Sequence, residues 1–236
     1  MSLNSIPLTL TDIPVGKTVT VKVPASSANL GPGYDTLGLA LGYYDELTVE
    51  RISEGLEFEL SGEGSDTVPR NENHLVVRSM RVVFEKAGLD EFPALRLTAH
   101  NRIPHSRGMG SSASAIVAGV AAASALLPEY ARLSRDQIFQ IASDVEGHPD
   151  NVAPSVYGSL SISWGELGDW HSLIVPVHPT IVPVVAVPDY EVSTKLARSL
   201  IPAEIPHGQA AANSGRAALL IQSLAQAPEH LMDATV

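Results

Sequence analysis

The chain contains no cysteine. A disulfide framework, a thiolate metal site and a cysteine nucleophile are therefore excluded, and a reducing cytoplasm is the compartment expected. Positive charge is also short. Lys and Arg total 15 against 26 Asp and Glu, for a formal net charge of -11. That balance argues against nucleic acid or an anionic membrane as the main partner. An acidic protein that handles a polyanion needs a local cationic site or a metal ion. The first residues lack a charged start followed by an apolar core, so no signal peptide is read. One stretch, Gly108 to Pro128, carries no charge. It is rich in Ala, Gly and Ser, and Pro128 ends it, so a helix buried in a globular core is expected rather than a membrane span. A Walker P-loop is absent, and so are internal repeats and low-complexity tracts.

What is present is concentrated in three dense stretches. The first is Pro104-His105-Ser106-Arg107-Gly108-Met109-Gly110-Ser111-Ser112-Ala113-Ser114. Gly108 and Gly110 can take positive φ, and Ser111 and Ser112 stand where a helix would start. A helix start offers free N–H groups and partial positive charge, which suits phosphate. The Ser112 hydroxyl could reach a phosphate-bound Mg²⁺, and Arg107 adds a cation. The bland alternative is a loop that only caps a helix. The second stretch runs from Pro24 to Gly38 and holds Asn29 and Asp35 among glycines and prolines. It reads as irregular structure, either a turn or a binding loop. The third is Glu146-Gly-His-Pro-Asp-Asn-Val-Ala153 at a helix end. His148 there could be a dipole partner or a packed imidazole, Asp150 and Asn151 turn formers, and Glu146 an oxygen ligand for Mg²⁺.

Around these, alternation predicts strands at Val19–Val23, 46–52, 56–60, 94–100 and 160–164. The first is closed by Pro24, and 46–52 with 56–60 suggests a hairpin. Helical spacing is read over 73–87. Ser134-Arg-Asp-Gln137 is a capping box that opens another helix, with Ile138, Ile141, Ala142 and Val145 on one face. Gly165 to His171 reads as a linker, Ile181 to Val187 as a buried strand, and 191–200 and 209–226 as helices. Lys195 and Arg198 read as a solvated helix face. At 236 residues the chain can form one large domain or two small ones.

Taken in order, the three dense stretches resemble the homoserine kinase family of the GHMP small-molecule kinases, over nearly all of residues 17–236. The resemblance implies a two-domain α+β build of mixed sheets and helices, with the active site in the inter-domain cleft. Residues 1–167 would form the ATP-binding domain and 168–236 part of the C-terminal domain. It implies ATP-dependent phosphorylation of the L-homoserine hydroxyl to O-phospho-L-homoserine for threonine synthesis, with Mg²⁺, in the cytoplasm and as a homodimer. By the family pattern Pro104 to Ser114 wraps the ATP phosphates, and Ser112 and Glu146 hold the metal. Asn29, Asp35, His148, Asn151 and Arg198 hold the amino acid. Asp35 and Arg198 stand at the catalytic end, with Asp35 either positioning the substrate or acting as base. The family's third glycine-rich motif, and the arginine upstream of it, do not occur before Val236, so an incomplete C-terminal domain is expected. Two readings compete: a GHMP-type kinase acting on mevalonate or a sugar, and a nucleotide-binding fragment without turnover.

Overall fold

The computed structural model describes residues 8–89, 91–190 and 194–235, with the side chains of 194–196 excepted. The architecture is α+β, built on one six-stranded mixed sheet. Strand β1 (Thr18–Ala28) pairs antiparallel with β2 (Leu37–Arg51), a fifteen-residue strand. The opposite edge of β2 is divided. Residues 46–51 pair with β4 (Leu95–Asn101), and 37–39 with β5 (Leu160–Glu166). Beyond β4 lies β3 (Leu56–Gly62), in parallel, and beyond β5 lies β6 (Asp169–Val175).

One face of this sheet carries the main core. Helix α1 (Leu75–Lys86) buries Val76, Val77, Met80, Val83 and Phe84, a helical repeat of apolar residues. Helix α2 (Ser111–Leu126) is covered almost all round, as its weakly apolar, small-residue composition predicts. Helix α3 (Arg135–Glu146) opens with both halves of the Ser134/Gln137 capping box and stops at Gly147. It is followed by the short α4 (Val152–Tyr157). Further on come α5 (Thr194–Ser199), α6 (His207–Ala225) and α7 (Leu231–Thr235). Leu220 and Leu224 of α6 and Ala234 of α7 pack on Leu37 and Leu160 as a second apolar cluster.

Several expectations are corrected here. Strand β1 does not end at Pro24 but continues to Ala28, through a register shift between Pro24 and Ser26. Strands β2 and β3 form no hairpin, because β4 lies between them. Arg96 of β4 bridges Glu50 and Glu57 across that gap, at 3.0 and 2.8 Å. The linker expected at 165–171 is a hairpin, with its turn at Leu167 and Gly168. A boundary at 167/168 would therefore fall on the tip of a hairpin whose two strands share one sheet. Ile181 to Val187 is no buried strand: Val182 and Val184 are 76% and 93% exposed. Part of the helix expected over 191–200 lies outside the described residues, and α5 accounts for 194–199.

Candidate active site

The glycine loop joins β4 to α2. Its start is set by β2, where the carboxylate of Asp45 accepts from the backbone N–H of Arg102 and Ile103 at 2.6 and 2.9 Å. Met109 is buried with Ala25, Leu41 and Ile103, which pins the loop to the sheet. The N-cap of α2 is Gly110, not a serine, and its conformation is left-handed, with φ 68°. A Cβ there would lie 2.1 Å from Ser26 Oγ, so the backbone passes closer to β1 than any other residue allows. The first bond closing α2 runs from Ser114 N–H to the Gly110 carbonyl at 2.9 Å. The amides of Ser111, Ser112 and Ala113 therefore point out of the helix end, as the first N–H groups of any helix do.

Glu146, the last residue of α3, faces this helix end. Ser112 Oγ donates to its Oε2 at 2.8 Å, and its side chain is only 12% exposed. Burial pushes its carboxyl pKa up, against the lowering effects of the Ser112 bond and of His148. A buried carboxylate with a raised pKa beside a hydroxyl is a site that a divalent cation would stabilise. Among the described residues no cluster of three or more His, Cys, Asp or Glu surrounds a common point. The donor set fits an ion that completes its shell with water and phosphate oxygens.

The chain then turns through Gly147 into the third dense stretch. His148 Nδ1 donates to Asp150 Oδ1 at 2.6 Å, and Asp150 is completely buried, with Oδ2 unpartnered. That bond raises the His148 pKa, against burial, which lowers it. Ser26 Oγ donates to Asn151 Oδ1 at 2.9 Å, which ties α4 to β1 under Gly110.

Opposite stands the loop before β2. Asn29 and Asp35 both have positive φ, 56° and 53°, a conformation that Asn and Asp tolerate better than most residues. Asn29 Oδ1 accepts from the Asp35 N–H at 2.8 Å, and Asn213 Nδ2 of α6 donates to the Pro32 carbonyl at 3.0 Å. Arg198 of α5 forms a two-pronged ion pair with Asp35, at 3.0 and 2.8 Å, 5.8 Å above the Tyr34 ring.

These parts face one cleft of about 570 Å³. Its walls include Asn29, Ser106, Gly108–Ser112, Glu146, His148, Asn151 and Arg198. Asp35 joins through its bond to Arg198. Pro104 and His105 do not line it, Ala113 and Ser114 are buried, and Arg107 reaches to the Asp189 carbonyl at 3.2 Å. A second cavity of about 300 Å³ meets the same loop at Ser106, Ser111 and Ser112. It is walled mainly by apolar groups of β2, α1 and α2. His74 lines it, buried, with Nδ1 unpartnered and its pKa lowered by burial. Neither His74 nor Asp150 is singled out as a site residue by the sequence. A lone histidine before a helix carries no local signal, and Asp150 beside proline reads as a turn former.

Residues 74–159 match the family described as GHMP kinases N terminal domain. The chain is 49% identical over 218 residues to the homoserine kinase of Streptomyces coelicolor, covering 92% of this chain and 70% of that protein. It is 48% identical over 231 residues to that of Corynebacterium urealyticum, covering 95% and 74%. The crystal structure of homoserine kinase from Cytophaga hutchinsonii superposes with a TM-score of 0.78 at 26% identity, over 92% of this chain and 71% of that one. A phosphomevalonate kinase from Streptococcus pneumoniae, 14% identical with a TM-score of 0.64, shares the fold. With its glycine loop, its Ser112–Glu146 pair and its identity to these relatives, the chain belongs to the homoserine kinase family of the GHMP kinases.

Proposed function

We propose that this chain transfers the γ-phosphoryl group of ATP to the hydroxyl of L-homoserine, giving O-phospho-L-homoserine for threonine synthesis. The observation that carries this reading is the convergence of the open N-terminal end of α2 and the oppositely charged Asp35–Arg198 pair on one cleft. The backbone N–H groups at the start of α2 would hold the phosphates, and the apolar cavity beside them would take the purine, with His74 at its edge. Asp35 would receive the substrate ammonium and Arg198 its carboxylate. His148 and Asn151 would direct the hydroxyl. Ser112 and Glu146 would hold Mg²⁺, which when bound neutralises charge on the phosphates. Phosphoryl transfer needs alignment and charge neutralisation more than covalent help. Asp35 therefore serves first as a positioning group.

We further infer a division into an N-terminal ATP-binding part and a C-terminal part, and action in the cytoplasm as a homodimer. Light scattering on the purified chain tests the last point. Among the described residues no helix is long and apolar enough to cross a membrane. ADP release with L-homoserine, mevalonate, galactose and L-serine as acceptors tests the activity. Turnover on mevalonate without turnover on homoserine would overturn it.

A further inference from the structure

The Asp35–Arg198 pair has the charges of an amino acid turned inside out. One carboxylate and one guanidinium stand in direct contact at the edge of the cleft, 2.8 Å apart, each side chain 39% exposed. Arg198 is the one cation bonded to Asp35 among the described residues, while Glu146 and His148 line the same cleft. A ligand that carries only a carboxylate can take the two-pronged Nη1/Nη2 face of Arg198 only by displacing Asp35 from it. That leaves Asp35 without its cation beside a cleft that already holds the Glu146 carboxylate. A ligand that carries only an ammonium must likewise displace Arg198 to take its place on the two oxygens of Asp35. A ligand with both charges replaces the internal pair with two external ones.

We propose that this ion pair is an exchange latch, which makes the cleft selective for zwitterions by penalising ligands of single charge. The inference rests on the reading of the cleft as an amino-acid kinase site. It concerns the free state of that site, and it attributes selectivity to what a ligand must break as well as to what it makes. Releasing the latch by mutation should then help the wrong ligand. Asp35→Asn removes the competitor for Arg198 and keeps a residue that accepts positive φ, so the loop retains its shape. Arg198→Gln frees Asp35 and lies on an exposed helix.

The test is calorimetric binding, to the whole chain and both variants, of L-homoserine, 4-hydroxybutanoate and 3-aminopropan-1-ol, with melting curves to confirm folding. Asp35→Asn should tighten 4-hydroxybutanoate about threefold while weakening homoserine, and Arg198→Gln should do the same for 3-aminopropan-1-ol. Unchanged or weaker binding of either single-charge ligand to its relieved variant would overturn the latch. So would a homoserine complex in which Asp35 and Arg198 still touch. Homoserine turnover without the crossed gains removes the latch and leaves the kinase reading intact. Crossed gains without homoserine turnover do the reverse.

Discussion

At the scale of single residues the site divides between groups that meet the nucleotide and groups that meet the acceptor, and substitutions should separate them. Ser112→Ala removes a hydroxyl from the metal side and leaves Glu146 buried without its donor. Mg²⁺ affinity should fall about tenfold, read as a rightward shift of the Mg²⁺ activation curve at saturating homoserine. An unchanged curve would remove Ser112 from the site. Asp35→Asn should raise the homoserine KM tenfold or more, the scale of one lost charge-assisted hydrogen bond, with the ATP KM nearly constant. His74 supplies a pH dependence. Burial lowers its folded pKa below the ordinary value of about 6.5. Its contribution to stability is therefore complete above that value and lost as pH falls below it. His148, whose pKa is raised, acts in the opposite sense: it stabilises below about pH 6.5 and loses that stabilisation as pH rises through its folded pKa. The informative quantity is thus a difference. Between pH 7 and 5, His74→Asn should lose less melting temperature than the parent, and parallel curves would show that His74 does not titrate.

Helices and strands show which features a sequence can carry. The capping box at Ser134, the stop at Gly147 and the apolar stripe of α1 depend on neighbours within a few residues, and each is visible in the chain. The insertion of β4 between β2 and β3 depends on pairing between residues 39 to 54 apart, and alternation is blind to it. So is the Asp35–Arg198 bond, between residues 163 apart, since an arginine on a short helix reads as a solvated face. The burial of Asp150 is equally invisible, because its surroundings come from other elements. The contact of α2 with α1 offers a test of packing. A Cβ on Gly119 would lie 2.6 Å from the Val76 carbonyl, which is backbone and cannot swing away. Gly119→Ala should cost about 1–3 kcal/mol by overpacking, a fall in Tm of several degrees by thermal denaturation. Gly110→Ala should act differently, because its added Cβ meets the Ser26 hydroxyl and its φ is positive. It should weaken ATP binding more than it lowers Tm.

At the scale of the whole molecule, a net charge of -11 opposes the approach of a polyphosphate. Association of ATP should therefore speed up as ionic strength rises from about 10 to 100 mM, as screening weakens the long-range repulsion. Stopped-flow measurement with constant free Mg²⁺ reads this directly, and a rate that falls with salt would mean that local cations outweigh the global field. The other whole-molecule property lies in β2. Asp35 stands two residues before its start, and Asp45, which fixes the mouth of the glycine loop, lies within it. The acceptor and the phosphate donor are thus hung from one uninterrupted length of backbone. A residue added between those two anchors would put them out of step, so the reach of the transferred group is gauged by a single strand rather than by the agreement of separate parts.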